Sequence, residues 1–173
     1  MEKLYLPLSD PRVRPLLDEL AHEYSSRYGN QFGDPSVEMN RYPAEDFAEP
    51  DGALLIVREN GISVAGGAFR RWDATTAELK RIWTHSRHRR RGLARIVLAE
   101  LEREAARRGY TRLHLTTGPR QPEARSLYLA TGYTPLFDLT ADPGQLQLLA
   151  FGKDLARPTT APSVPHESAA TAP

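Results

Sequence analysis

The 173-residue sequence contains no cysteine. Disulfide bonds, thiolate metal sites and a covalent cysteine intermediate are therefore excluded. No apolar run approaches the ~20 residues that a membrane-spanning helix needs, and no stretch resembles a signal peptide. We therefore expect a cytoplasmic protein with no membrane partner, and we predict no metal cofactor.

The chain also has almost no net charge: 23 basic and 22 acidic residues give +1 at pH 7. This balance argues against a nucleic-acid partner bound through bulk charge. The charges are nevertheless unevenly placed, with seven basic residues and no acid between Lys80 and Arg95, and six acids against Arg41 alone between Asp34 and Asp51. The basic segment suits an anion. The acidic segment either favours a cationic acceptor or is a solvated loop.

The C-terminal residues 157–173 differ from the rest of the chain in composition. Proline, alanine, threonine and serine dominate, and Val164 is the only large aliphatic residue. Such a segment buries too little apolar surface to offset its ordering entropy, so we predict a disordered tail. Residues 1–156 are expected to form a single domain.

Residues 1–156 predict a mixed α/β fold with helices on both faces of a sheet. The first half predicts one helix, capped by Asp10 and ended by Gly29, and four strands: Lys3–Leu8, Ala53–Arg58, Ile62–Trp72 and Thr76–Thr84. The second half predicts the helices Leu93–Arg108 and Pro122–Gly132 and the strands Thr111–Thr116, Tyr133–Phe137 and Leu146–Phe151.

The fourth predicted strand has an irregular apolar pattern. Ala77 and Leu79 share one face, whereas Ile82 and Thr84 fall on the opposite parity. One extra residue near Lys80–Arg81 would bring all four to the same face, as a β-bulge does. The alternative is a strand buried on both faces, which needs no bulge.

A basic, glycine-punctuated turn, Arg89–Ala94, lies between this strand and the next helix. The first N–H groups of a helix have no intrahelical partner and carry partial positive charge, so such a turn is suited to hold phosphate. Gly92 lets the backbone approach without a Cβ, and no proline removes an N–H. The turn therefore predicts a pyrophosphate site; the alternative is a solvated basic patch.

The order of these motifs resembles the GNAT superfamily of acyl-CoA-dependent N-acetyltransferases. The family's cofactor loop reads Gln or Arg, two residues, Gly, one residue, then Gly or Ala, and it is matched by Arg89, Gly92 and Ala94. A second family pattern, Asn, two residues, Ala, three residues, Tyr, is matched by Gln121, Ala124 and Tyr128, with Gln in place of Asn. The resemblance covers about Ala53–Phe151.

The resemblance implies acetyl-CoA as cosubstrate and a mixed, mostly antiparallel sheet with a splayed parallel pair at its centre. It implies a cofactor-binding core over 53–151 and a substrate-side region over 1–52. The loop N–H groups would bind the pyrophosphate, and the bulged strand would pair with the pantetheine arm. The implied cofactor-binding residues are Ile82, Trp83, Thr84, Arg89, Arg90, Arg91, Gly92, Leu93, Ala94, Arg95 and Gln121.

The resemblance also implies catalytic roles. A backbone N–H near Ile82 would stabilise the oxyanion, and Tyr128 would be the general acid that protonates the departing thiolate. Glu78, fourteen positions before Gly92, matches the general base of a histone-acetyltransferase subfamily. His114 and a water are rival bases. Tyr128 could instead be a core tyrosine, and Glu78 could pair with a neighbouring arginine.

The identity of the acceptor is left open by the sequence. The resemblance implies direct transfer to the primary amine of a small molecule or peptide in a ternary complex, with Tyr24 and Tyr28 as candidate substrate-binding residues. A homodimer is compatible with the sequence. The alternative function is a non-catalytic acyl-CoA-binding sensor or scaffold module.

Overall fold

The computed structural model describes residues 1–29, 34, 37, 39–156 and 164–167. One seven-stranded sheet runs through this part of the chain, with strand order β1-β2-β3-β4-β5-β7-β6. The strands are β1 (Glu2–Tyr5), β2 (Ala53–Glu59), β3 (Ile62–Arg71), β4 (Thr76–Thr84), β5 (Arg112–Thr117), β6 (Thr134–Pro135) and β7 (Leu149–Asp154). Neighbouring strands are antiparallel except β4 and β5, which are parallel. The predicted mixed, mostly antiparallel sheet with one parallel pair is confirmed.

The two faces of the sheet are covered by the helices α1 (Arg14–Tyr28), α2 (Leu93–Arg107) and α3 (Pro122–Ala130). The side chain of Asp10 accepts a hydrogen bond from the Arg12 N–H and caps the 3₁₀ turn that leads into α1. On the α1 face, Val13 and Leu16 pack in one apolar cluster with Trp83 of β4. On the other face, α2 and α3 pack in a second cluster with β3, β5 and β7.

The predicted hairpin between β2 and β3 is confirmed. Its turn residues, Asn60 (φ 49°) and Gly61 (φ 79°), both lie in the left-handed region. A two-residue turn of this kind matches the right-handed twist of the strands that it joins, and Asn-Gly adopts it at little cost.

Three strands differ from their predicted bounds by two or more residues at one end at least. β1 ends at Tyr5 rather than Leu8, shortly before Pro7, which has no N–H to donate. Proline also limits β6 to Thr134–Pro135. β7 begins at Leu149 because Pro143–Gln145 form a 3₁₀ turn in the preceding segment.

The β-bulge predicted in β4 is confirmed. Lys80 lies opposite Ala68 and Trp83 lies opposite Gly66, so β4 holds one more residue than β3 between these pairs. Arg81 takes up the extra length with φ 59°. As a result Ile82 packs in the same cluster as Ala77 and Leu79.

Residues 164–167, inside the segment predicted to be disordered, lie beside the edge strand β1. The Tyr5 N–H donates to the Pro165 carbonyl (3.3 Å), and the Glu167 N–H donates to the Tyr5 carbonyl (3.0 Å). The His166 ring stacks on the Tyr5 ring at 4.5 Å between centroids. The composition of the segment did not predict this contact. An open sheet edge offers backbone hydrogen bonds, and these need few apolar side chains. The rest of the predicted tail lies outside the described residues.

Within the described ranges, none of the helices has both the length and the apolar character needed to cross a membrane.

Candidate functional site

A cleft opens where the parallel strands β4 and β5 separate. Their pairing runs only from Thr76 opposite Arg112 to Glu78 opposite His114, although both strands continue beyond that point. The cleft has a volume of about 430 Å³. One side is lined by β4, β5 and α3, and the other by α1 and the segment that follows it. A V-shaped opening between two strands is therefore present where the bulge was predicted.

The bulge interrupts the register of β4 with its neighbours at the cleft. Arg81 and Ile82 have no register partner on β3, and among the described residues the pairing with β5 has already ended at Glu78. On β3, a Cβ at Gly67 would lie 2.6 Å from Ile82 Cδ1 and 3.0 Å from Val97 Cγ1. The absence of a side chain at Gly67 therefore lets the Ile82 side chain and α2 pack closely on β3.

The N-terminus of α2 is the second element of the site. Gly92 caps it with φ 73° and no side-chain hydrogen bond, and Arg90 also has a positive φ of 63°. Such a turn aims consecutive N–H groups outwards and makes an anion-binding concavity. Arg91 bonds to Glu59 at 2.9 Å and Arg89 to Glu23 at 3.3 Å. Arg90 and Arg95 are exposed and make no ion pair within the described part of the chain.

Tyr128 of α3 reaches the cleft from a buried position. Its ring centroid lies 5.5 Å from those of Tyr133 and Phe151. Its hydroxyl makes no hydrogen bond to another described residue, and the residue lines the cleft. Burial raises the pKa of the Tyr128 hydroxyl above its ordinary value. The hydroxyl therefore stays protonated near pH 7 and can donate a proton into the cleft.

Gln121 lies at the start of α3 and also lines the cleft. Its Oε1 accepts a hydrogen bond from the Thr117 hydroxyl at 2.6 Å, which ties the side chain to the end of β5. The two N–H donors of the Gln121 amide are consequently the groups that could meet a carbonyl of the bound cosubstrate. Gln thus supplies an amide where the family pattern has Asn.

Glu78 is buried beneath the cleft rather than on its surface. Its Oε2 accepts from Arg70 at 3.0 Å and its Oε1 lies 2.9 Å from Lys80 Nζ. Arg70 stands directly opposite Glu78 in the β3–β4 register and also bonds to Asp46 at 3.0 Å. Glu78 is not part of the cleft lining. This geometry matches the alternative in which Glu78 pairs with a neighbouring arginine.

His114, the rival base, also lies outside the lining. Its ring packs against the Trp72 ring at 4.3 Å between centroids, with the two planes tilted by 30°. Burial lowers the pKa of His114, so the ring is neutral at pH 7. Its neighbours Leu113 and Leu115 face the opposite side of the sheet, in the α2-side cluster.

The two candidate substrate residues, Tyr24 and Tyr28, both line the cleft from α1. Their rings lie 5.2 Å apart. A Cβ at Gly118 would lie 1.7 Å from the Tyr28 hydroxyl oxygen. Glycine at this position therefore lets the Tyr28 hydroxyl lie against the backbone at the end of β5.

The structure brings together some of the predicted site residues but not all of them. Ile82, Gln121 and Tyr128 line the cleft with the two tyrosines, whereas Thr84 and the 89–95 turn lie outside the lining. The Trp83 side chain turns to the α1 face, where its Nε1–H donates to Glu19 at 2.9 Å. Sequence reasoning did not single out other lining residues, among them Met39, Arg41, Tyr42, Lys80, Arg81, Gln147 and Leu148. The bulge could have singled out Lys80 and Arg81; the others carry no local signal.

No group of three or more histidine, aspartate or glutamate side chains in the described ranges is placed to hold a metal ion.

Comparison with known proteins identifies relatives of the chain. Residues 17–133 match the family model of the acetyltransferase (GNAT) family. The chain is 37% identical over 92 residues to YsnE of Bacillus subtilis (strain 168), described as an uncharacterized N-acetyltransferase. That match spans 50% of this chain and 61% of YsnE.

Two solved structures share the fold at low identity. A proposed acyl-CoA N-acyltransferase of Klebsiella pneumoniae subsp. pneumoniae MGH 78578 has a TM-score of 0.68 and 23% identity, covering 89% of this chain and 97% of its own. The PaiA N-acetyltransferase of Thermoplasma acidophilum, solved in complex with coenzyme A, has a TM-score of 0.67 and 14% identity, covering 89% and 99%. On the family match, with its cleft, bulge and loop, this chain belongs to the GNAT acetyltransferase family.

Proposed function

We propose that the protein transfers the acetyl group of acetyl-CoA directly to a primary amine of a small molecule or peptide, within a ternary complex. The observation that carries the proposal is the cleft between β4 and β5. It combines the interrupted register of β4 at Ile82 with the buried hydroxyl of Tyr128. Family membership and a relative's complex with coenzyme A support the same cosubstrate.

The chain offers a continuous set of groups for acetyl-CoA. The N–H groups of Gly92, Leu93, Ala94 and Arg95 at the start of α2 would receive the pyrophosphate, with Arg90 and Arg95 adding positive charge. The free edge of β4 from Ile82 to Thr84 would pair with the pantetheine amides as an added strand does, and Gln121 would face them from α3. The cosubstrate supplies an activated acyl thioester.

The transfer forms a C–N bond and breaks a C–S bond. When the neutral amine attacks the thioester carbonyl, negative charge develops on the carbonyl oxygen, and an N–H near Ile82 would stabilise it. As the C–S bond breaks, Tyr128 would donate its proton to the sulfur. The ammonium proton that the product must lose goes to solvent water, and Tyr128 is then reprotonated from solvent.

We propose that no side chain removes the first proton from the amine. Neither Glu78 nor His114 lines the cleft, and both oxygens of Glu78 are held by cations. The acceptor would therefore enter as the neutral amine. Glu78 would act at a distance, by fixing Lys80 at the cleft surface.

A thiol-release screen tests the proposed function. The protein is mixed with acetyl-CoA and a panel of amino acids, polyamines, aminoglycosides and short peptides, and free CoA is measured against a control without acceptor. We expect acceptor-dependent release with at least one amine class. Tight acetyl-CoA binding without release for any amine would support a binding module instead. The cytoplasmic location expected from the sequence stays a prediction.

A further inference from the structure

The carboxylate of Glu19, on α1, accepts hydrogen bonds from two residues at the end of β4. Its Oε2 accepts from the Trp83 Nε1–H at 2.9 Å and from the Ser86 N–H at 3.0 Å, and its Oε1 accepts from the Ser86 hydroxyl at 2.7 Å. Ser86 begins the 3₁₀ turn Ser86–His88, which leads into the glycine turn Arg89–Ala94. One carboxylate therefore connects α1 to β4 and to the approach of the predicted pyrophosphate site.

Trp83 gives the Glu19 carboxylate a fixed position. The Trp83 side chain is buried in the apolar cluster on the α1 face, together with Leu16 of α1. Its main chain lies opposite Gly66 in the β3–β4 register. The indole has a single N–H, and a buried N–H that loses its acceptor costs free energy. The hydrogen bond from Trp83 therefore holds Glu19 at a defined point of the sheet.

Ser86 takes over from β3 in holding the main chain. Thr84 is still in register with Ala65, and the His85 N–H donates to the Val64 carbonyl at 2.9 Å. The next N–H along the chain, that of Ser86, donates to Glu19 instead. From this residue onwards, the position of the chain relative to the sheet depends on the Glu19 contact.

Two further ties of the glycine turn run through exposed arginine side chains. Arg89 reaches Glu23 at 3.3 Å and Arg91 reaches Glu59 at 2.9 Å, with 51% and 46% of the arginine side chains exposed. Exposed pairs of this kind stabilise a structure little, because solvent screens the charges and long side chains lose entropy when they are held. The main-chain hydrogen bond of Ser86 is the firmer anchor.

We infer that Glu19 is a positioning residue for the cosubstrate. Through Ser86 it holds the 3₁₀ turn so that the N–H groups at the start of α2 face the pyrophosphate of acetyl-CoA. This role rests on the proposed acetyl transfer. Main-chain donors bind an anion well when several of them point at one place, so a displaced turn loses affinity. Because the Glu19 oxygens are occupied by Trp83 and Ser86, Glu19 acts through these residues rather than by contact with acetyl-CoA.

The direction of the effect separates positioning from charge. A carboxylate near an anion site repels the anion, so removing a Glu19 that acted through its charge alone would strengthen CoA binding. Removing a Glu19 that positions the turn weakens CoA binding, since Ser86 is released. Glutamine keeps one oxygen to accept from Trp83 and the Ser86 N–H, and its amide can donate to the Ser86 hydroxyl. Glu19→Gln should therefore preserve the position without the charge.

Three constants test the inference: the dissociation constant of CoA, measured by calorimetry, and the KM and kcat for acetyl-CoA. Glu19→Ala should raise the dissociation constant and KM about tenfold, because the cosubstrate must then order the turn itself, with kcat within about threefold of the wild type. Glu19→Gln should stay within about threefold in all three constants. S-acetylpantetheine, which lacks the pyrophosphate, should have the same KM with the wild type and with Glu19→Ala.

Asp73 offers a matched control at the opposite end of β4. Its Oδ1 accepts from the N–H groups of Thr75 and Thr76 at 2.9 and 2.8 Å, and from the Thr75 hydroxyl at 3.4 Å. Like Glu19, it is a carboxylate that receives two N–H groups and one hydroxyl. Asp73→Ala should lower the melting temperature, as Glu19→Ala does, but should leave CoA affinity within about twofold of the wild type, because distant sites act independently.

Three results would overturn the inference. They are an unchanged CoA affinity in Glu19→Ala, a loss of affinity equal to that in Asp73→Ala, and stronger CoA binding in both Glu19 variants, which would identify a charge effect. If Glu19→Ala does not fold, Ser86→Ala is measured instead. It removes one of the three hydrogen bonds and should weaken CoA binding about threefold, and an unchanged affinity would overturn the inference equally.

CoA binding also distinguishes this inference from the proposed function. If no amine is acetylated, weaker CoA binding by Glu19→Ala still supports the positioning role while the proposed transfer fails. If the wild type acetylates an amine and Glu19→Ala matches it in every constant, the transfer stands and the positioning role is wrong. A wild-type protein that does not bind CoA would contradict both.

Discussion

Two neighbouring tyrosines offer a sharp test of the proposed chemistry. Tyr128 and Tyr133 are both buried, and their rings are in contact at 5.5 Å between centroids. The Tyr128 hydroxyl lies at the cleft, whereas the Tyr133 hydroxyl donates to Glu102 at 2.8 Å, away from it. Replacing each by phenylalanine removes one oxygen and keeps the ring. We therefore expect Tyr128→Phe to lose activity but not stability, and Tyr133→Phe to lose stability but not activity.

The expected loss in Tyr128→Phe follows from the leaving group. General acid catalysis contributes about 10²–10⁴-fold. A thiol has a pKa of about 8.5, so the thiolate can leave without full protonation near pH 7. The lower end of the range for general acid catalysis therefore applies. We expect kcat to fall about 100-fold, or about 2.7 kcal/mol at 1.36 kcal/mol per tenfold. Because this hydroxyl has no hydrogen-bond partner among the described residues, the free energy of unfolding should change by less than about 0.5 kcal/mol.

Tyr133→Phe should show the reverse. It removes a hydrogen bond to a carboxylate, which stabilises a fold by about 1.5 kcal/mol or more. Activity should stay within about threefold of the wild type, since nothing at the cleft changes. Initial rates of CoA release, acetyl-CoA binding and urea unfolding are measured for both variants.

Two results would refute this reasoning. If Tyr128→Phe kept kcat within about threefold of the wild type, Tyr128 would be a core tyrosine and the thiolate would leave without a protein acid. If both variants lost kcat equally, the loss would report packing of the aromatic cluster rather than proton transfer. Unchanged acetyl-CoA affinity is expected for both.

Three further outcomes are expected. Gly92→Ala and Gly109→Ala each place a Cβ in open space at a positive φ, 73° and 94°, so each should lower the free energy of unfolding by about 1 kcal/mol. Only Gly92→Ala should raise KM for acetyl-CoA. Equal KM values for the two variants would contradict the assignment of the loop to the cosubstrate. Glu78→Gln removes the carboxylate that pairs with Arg70 and Lys80, so the free energy of unfolding should fall by about 2 kcal/mol. The kcat of this variant should stay within about threefold of the wild type. A 100-fold loss of kcat in a folded variant would instead identify Glu78 as the general base. Burial lowers the pKa of His114, so below about pH 6.5 the unfolded chain takes up a proton that the folded chain refuses. Urea unfolding at about pH 7 and pH 5 should therefore show a smaller acid-induced loss of stability for His114→Gln than for the wild type; identical losses would show that His114 does not contribute.

The local features of the fold were predictable because they depend on residues close together in the chain. The Asn60–Gly61 turn follows from the φ values that a tight hairpin requires. The shift of apolar parity between Leu79 and Ile82 was enough to predict the bulge, since a strand alternates faces strictly. The cleft opens beside the same irregularity, because the pairing of β4 with β5 ends at Glu78, shortly before the bulge.

The surroundings of the titratable groups were not predictable in this way. Spacing from Gly92 suggested Glu78 as a base, but its partners are set by register. The antiparallel pairing of β3 and β4 places Arg70 opposite Glu78, and the segment before β2 adds Asp46. No local pattern encodes these contacts, because the residues involved are far apart in the sequence.

The sequence by itself determines the glycine turn, the bulged strand and the Tyr128 pattern, because each depends on a few residues that lie close together in the chain. Which charged side chains pair with one another was decided only by the tertiary structure. Folding pairs Asp46 with Arg70 and Asp51 with Arg71, both on β3, and brings Glu49 to 3.6 Å from Arg108. Charge counted along a chain cannot reveal which charges will neutralise one another, since Coulomb energy depends on separation in space.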